Sequence, residues 1–117
     1  MAGNENAGPP ARKAGKVIVV DDHPLVRQGI ATILSGTGDL EFAGEAGGVQ
    51  EALRLIARCK PDVAVVDLQL GDASGLGLIK DIRVRFPKLR ILVLSMRAEG
   101  FYAERVLRAG ARGYVTK

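Results

Sequence analysis

Five residues able to do chemistry stand at the ends of four apolar runs. Asp21 and Asp22 follow Val17–Val20, Asp67 follows Val63–Val66, Ser95 follows Ile91–Leu94, and Lys117 ends the segment that opens at Gly113. From Asp22 to Asp67, Ser95 and Lys117 the successive intervals are 45, 28 and 22 residues, each close to one or two strand–helix units. Three carboxylates brought into a small volume repel one another and call for a cation. An oxygen-only donor set with open positions suits Mg²⁺, which keeps several waters and takes one or two carboxylates plus a phosphate oxygen. A carboxylate beside such an ion can attack phosphorus and form an acyl phosphate. The ion, the Lys117 ammonium and the Ser95 hydroxyl would offset the charge spread over a transferring phosphoryl group. Asp67, on the middle one of these strands, is the natural nucleophile, and the Asp21–Asp22 pair is placed for the metal. The chemistry is phosphoryl transfer.

Simpler roles compete at each position. An acidic pair can merely open a helix, where it complements the dipole; the company of Asp67 and Lys117 weighs against that. His23 reads as a loop or first-turn residue, since the acids explain the site without it. Cys59 reads as a small half-buried helix residue without redox duty. Gly36-Thr37-Gly38 lacks the Gly-Lys-Ser/Thr ending of a phosphate loop.

The elements that must position these groups are legible in the hydrophobic pattern. Val17–Val20, Val63–Val66 and Ile91–Leu94 are continuous apolar runs, as in strands buried on both faces of a parallel sheet. Leu40–Ala46 reads as a shorter strand interrupted by Gly44, and Gly113–Val115 begins a last one. Between them, helical spacing runs through Leu25 to Leu34, Val49 to Cys59, Leu76 to Val84 and Phe101 to Ala109. Gly36-Thr37-Gly38, Pro61 and Pro87 supply stops. Strands alternating with helices predict a parallel α/β sheet with right-handed crossovers and helices on both faces. In such sheets ligands bind beyond the carboxyl ends of the strands, where all five residues fall. The pattern stops at its fifth strand without a following helix, so the natural chain is expected to continue.

Composition narrows the class. The 117 residues carry 17 Lys+Arg against 13 Asp+Glu, and 47% hydrophobic residues is too apolar for disorder throughout. Arg12, Lys13 and Lys16 against Glu5 place half of the +4 surplus in the first 16 residues, a Gly/Pro/Asn/Ala opening read as a flexible tail over residues 1–15. A basic tail is weak ground for nucleic-acid binding. The lone Cys59 excludes an internal disulfide framework. No apolar run reaches the roughly 18 residues of a membrane span, and no signal-peptide segment opens the chain. A cytoplasmic protein without membrane contact is expected.

Taken together, these strings resemble a response-regulator receiver domain. Val17-Ile18-Val19-Val20-Asp21-Asp22-His23-Pro24-Leu25-Val26-Arg27-Gln28-Gly29 is similar to the opening of receivers that carry a LuxR/FixJ-type (NarL-like) helix-turn-helix output. Pro61–Leu68, Gly75, Leu94-Ser95 and Ala109–Lys117 complete a match over residues 16–117. The resemblance implies a flavodoxin-like, doubly wound five-stranded sheet of order 2-1-3-4-5 that lacks its fifth helix here. It implies phosphorylation of Asp67 by a sensor histidine kinase. Asp22 would hold Mg²⁺ directly and Asp21 through water, with Asp67 and the backbone carbonyl of Gln69 as further ligands. Lys117 would pair with the phosphate and Ser95 would hydrogen-bond it. Ser95 and Tyr114 would switch together and remodel the helix 4/strand 5 face. Homodimerisation on activation, and DNA contact only through an output domain outside this chain, are implied partners.

The match departs in two places. Gln69-Leu70-Gly71-Asp72 replaces the family's Met-Pro pairing, giving a more flexible and more acidic loop. Met96 stands where small residues are common, which is expected to restrict access to the phosphoryl group and slow its hydrolysis. Two other classes of function remain open at this point. One is a phosphate-independent interaction module. The other is an aspartyl-nucleophile phosphohydrolase, disfavoured because Gln69 stands where its second acid would be.

Overall fold

The computed structural model describes residues 15–70, 73–95, 105 and 107–116, with the backbone alone at 73–74 and 114–116. Five strands alternate with helices: β1 (Gly15–Val20), α1 (Pro24–Ser35), β2 (Leu40–Ala46), α2 (Val49–Cys59), β3 (Val63–Asp67), α3 (Gly75–Arg85), β4 (Arg90–Ser95) and β5 (Gly113–Thr116). The strands form one parallel sheet in the order β2-β1-β3-β4-β5, as the resemblance implied. Between β4 and β5, Arg105, Leu107 and Arg108 are helical, in line with the expected fourth helix. The remainder of that expected helix, residues 101–104 and 106, lies outside the described residues.

The period-2 alternation of a strand assigns its side chains to two faces. Ile18 and Val20, Ala64 and Val66, and Ile91 and Val93 point to one side, where Ala52, Leu53, Leu55 and Ile56 of α2 and Leu78, Ile79 and Ile82 of α3 cover them. Val17, Val19 and Val65 point to the other, where Leu34 and Ile30 of α1 pack with Phe42, Leu92 and Leu94. The α2/α3 layer is the larger, and most of its members are fully buried. Leu34→Ala, in the smaller layer, is expected to cost about 2 kcal/mol, near the lower end for a buried leucine, measured as a shift of the urea midpoint at unchanged slope.

Several boundaries carry physical detail. Strand β1 includes Gly15, one residue before the expected Lys16. The interruption expected at Gly44 is a bulge: Val17 pairs with Phe42 but Ile18 with Gly44, leaving Ala43 as the extra residue. The helix α2 closes on Lys60, a left-handed residue at φ 51° whose N–H bonds to Ile56 O, before Pro61. Around the loop expected to be more flexible after Asp67, Gln69–Leu70 and Ala73–Ser74 form a two-residue antiparallel ladder.

Candidate functional site

The carboxyl edge of the sheet is organised by register. Val20 pairs with Val66, so Asp21 and Asp67 leave the central strands side by side. Asp67 closes β3 opposite Leu94, and Ser95 closes β4 opposite Thr116. All three polar residues are buried: Asp21 is 1% exposed, Asp67 4% and Ser95 3%. Asp22 is one-third exposed and begins the turn into α1.

Asp21, Asp22, His23 and Asp67 each offer a ligand atom within 4.8 Å of the others. His23 Nδ1 lies 2.8 Å from Asp21 Oδ1, 3.0 Å from Asp22 Oδ1 and 3.8 Å from Asp67 Oδ2. The bond to Asp21 places the proton on Nδ1. The His23 backbone N–H donates to the same Asp21 oxygen at 2.8 Å, so a tight turn folds the ring back over the acids. His23 is the N-cap residue of α1, and Pro24 occupies the first turn, where its missing N–H costs nothing. His23 is the loop residue that its place before Pro24 predicts, and its ring lies against the acids. A His at an N-cap two residues after a buried Asp is the signal that could have placed it there.

The donor set fits a hard divalent ion. Three carboxylates, two just after β1 and one closing β3, converge. Asp22 Oδ1 is buried and accepts no hydrogen bond among the described residues. Mg²⁺ favours such oxygen donors, and the His23 side chain, 62% exposed, has room to swing outward. Gln69 N–H donates to Asp67 Oδ1 at 3.2 Å, which orients the carboxylate from the far side of the turn.

The turn after Asp67 is pinned from two directions. Leu68 N–H donates to Leu94 O at 3.0 Å, and Gly75 N–H donates to Leu68 O at 2.8 Å. A Cβ on Gly75 would stand 2.3 Å from Asp67 O and 2.7 Å from Leu68 O, so the start of α3 seats directly on the backbone of the acidic residue. Tyr114 belongs to β5 and pairs with Val93, with backbone alone described. Lys117, Gly71, Asp72 and Met96 lie outside the described residues. A cavity of about 650 Å³ lined by Ile56, Lys60, Phe86, Leu89 and Arg90, among others, opens at the opposite, amino-terminal end of β3 and β4. None of the acidic cluster reaches it. Among the described residues, no helix is long and apolar enough to cross a membrane.

Comparison with known proteins agrees with this architecture. Residues 17–117 match the family model described as the response regulator receiver domain. The chain is 41% identical over 102 residues to the DNA-binding transcriptional activator DevR/DosR of Mycobacterium tuberculosis, covering 87% of this chain and 47% of that protein. It thus spans about half the length of the curated relatives it matches. A LuxR-family two-component response regulator from Aurantimonas sp. SI85-9A1 superposes with a TM-score of 0.85 at 34% identity, over 90% of this chain and 75% of that one. A response regulator from Burkholderia pseudomallei, with a phosphorylated aspartic acid, a calcium ion and citrate, gives a TM-score of 0.79 at 34% identity, over 88% of this chain and 59% of that one. With the parallel sheet and the acidic edge already in place, these matches establish that the chain belongs to the response regulator receiver domain family.

Proposed function

We propose that residues 16–117 accept a phosphoryl group on Asp67 from the phosphohistidine of a sensor histidine kinase, with Mg²⁺ held by Asp21, Asp22, Asp67 and the Gln69 carbonyl. The observation that carries this reading is the convergence of three carboxylates at the ends of adjacent central strands, with the most central, Asp67, buried. An Asp67 oxygen attacks phosphorus. The new P–O bond forms as the donor's P–N bond breaks, and the electron pair leaves with the imidazole nitrogen, which takes up a proton. The ion would neutralise charge on the phosphoryl oxygens and on the acids that face them. Ser95, at the end of the neighbouring strand, would donate its hydroxyl to one phosphoryl oxygen, and Lys117 would pair with another. The modified carboxylate then draws Ser95 and Tyr114 into a second arrangement of the β4–β5 edge, a shift between two populated states.

The Burkholderia relative with its phosphorylated aspartic acid supports acceptance at the acidic edge, and the DNA-binding relative supports a transcriptional output. That output would be a helix-turn-helix module beyond this chain, engaged as the phosphorylated protein dimerises in the cytoplasm. The chain would act as a switch, its only chemistry being its own phosphorylation and hydrolysis. Incubation with a small phosphodonor and Mg²⁺ tests this. The expected product is acid-stable, base-labile acyl phosphate on the protein, formed only while Mg²⁺ is free of chelator. No labelling would favour an interaction module independent of phosphate, and steady turnover of phosphomonoesters would favour a hydrolase.

A further inference from the structure

We propose that Arg27 is a positioning residue for the metal-binding acids, gripping the Asp21–Asp22 peptide from outside the cluster. The proposal rests on the Mg²⁺ reading above and deepens it. Arg27 lies in the second turn of α1 with its side chain mostly buried, 18% exposed. Nη1 donates to the backbone carbonyl of Asp21 at 2.5 Å, and Nε donates to Glu45 Oε1 at 2.5 Å. Glu45 precedes Ala46, whose carbonyl accepts the Asp21 N–H at 3.0 Å. The main chain of Asp21 is therefore held on both sides, by the end of β2 directly and through the guanidinium.

The carbonyl of Asp21 and the N–H of Asp22 belong to one planar unit. Fixing that oxygen fixes the plane and the position of the Asp22 Cα, which leaves only rotation about φ and the side-chain torsions to aim its carboxylate. Asp22 Oδ1 has the His23 ring nitrogen 3.0 Å away but accepts no hydrogen bond among the described residues, so the backbone direction contributes to its aim. The device needs arginine: a planar fork reaches two acceptors on different segments, whereas an ammonium is a point charge on a flexible stem. Supporting groups of this kind orient ligands without touching the ion.

Charge and position make opposite forecasts. Acting as a charge alone, Arg27 opposes a divalent cation, and its removal would tighten Mg²⁺ binding. Acting as a positioner, its removal loosens it. The test is calorimetric titration of the full chain with Mg²⁺ alone, joined by Mn²⁺-induced broadening of backbone amide resonances to locate the ion. Arg27→Met is expected to weaken Mg²⁺ binding about 10- to 100-fold. Arg27→Lys should recover little of the loss. Glu45→Gln, which keeps an acceptor for Nε, should weaken binding less. The double variant Arg27→Met/Glu45→Gln should bind no more weakly than Arg27→Met, because the two side chains act as one unit. Should Arg27→Met not fold, Arg27→Lys and Glu45→Gln decide, and unchanged or tighter binding in both overturns the role. Unchanged or tighter binding in a folded Arg27→Met does the same. Absence of Mg²⁺ binding by the unaltered chain is a different result, which removes the metal reading and this role with it.

Discussion

Asp67→Asn is expected to eliminate acid-stable, base-labile phosphoryl labelling while leaving the chain folded. The amide is nearly the same shape, and its carbonyl oxygen can still accept the Gln69 N–H that Asp67 Oδ1 accepts. What disappears is the anionic nucleophile, so no acyl phosphate can form at the end of β3. Asp22→Asn keeps the acceptor and removes one metal ligand, so it should slow labelling and raise the Mg²⁺ requirement without abolishing it. Position 23 sharpens the readout. The His23 ring stands beside the acceptor, Nδ1 3.8 Å from Asp67 Oδ2, and with the proton on Nδ1 its other nitrogen, Nε2, is itself able to take a phosphoryl group. A phosphorylated imidazole is acid-labile and base-stable, the reverse of an acyl phosphate. Label that persists in Asp67→Asn with acid-labile chemistry would move the acceptor to His23. Persistent acyl phosphate would move it to Asp21 or Asp22.

The second large effect is expected at a glycine with no chemistry of its own. Gly75→Ala places a methyl group 2.3 Å from Asp67 O, 2.7 Å from Leu68 O and 2.8 Å from Leu68 Cα. All three are backbone atoms, and Leu68 is already tied to β4 through Leu94 O, so there is no side chain to rotate away. Either the start of α3 lifts or the Asp67–Leu68 peptide turns. The expected cost is at or above the top of the roughly 1–3 kcal/mol seen for overpacking, read from the denaturant midpoint. Phosphoryl acceptance should fall further than stability does, because the displaced peptide carries Asp67. Gly77→Ala is the control: nothing lies within 4 Å of the point its methyl group would occupy, and in the same helix it should leave stability unchanged or improve it. Equal behaviour of the two variants would refute the steric account.

How much of this the residues disclose beforehand depends on the range of the cause. The β-branched runs at Val17–Val20 and Val63–Val66 announce strands because burial on both faces leaves no polar alternation to obscure them. The helix limits at Cys59 and Arg85 follow from Pro61 and Pro87 nearby in sequence. Carboxylates at strand ends can be inferred as neighbours because parallel strands share one carboxyl edge. The rest comes from contacts at long separation or from turn geometry. Gly75 stands out as a glycine in the sequence, but that α3 rests on the Asp67 carbonyl is a tertiary fact. His23 joins the acids through a turn two residues wide, in which its own N–H and ring share one Asp21 oxygen. Arg27, on helix α1, carries no motif chemistry, and its partner Glu45 is on strand β2.

The unequal faces of the sheet bear on hydrogen exchange. Amides of β1, β3, α2 and α3 lie against the larger apolar layer and should exchange only when the whole domain opens. Helix α1 is held mainly by Leu34 and Ile30, with Leu25 and Ile33 left in solvent, so its amides should exchange through a smaller, separate opening. Asp22 and His23 sit at the hinge of that opening, while Asp67 belongs to the slow-exchanging body. A divalent ion shared between them would join the fast unit to the slow one, lowering exchange along α1 while leaving that of α2 and α3 nearly unaltered.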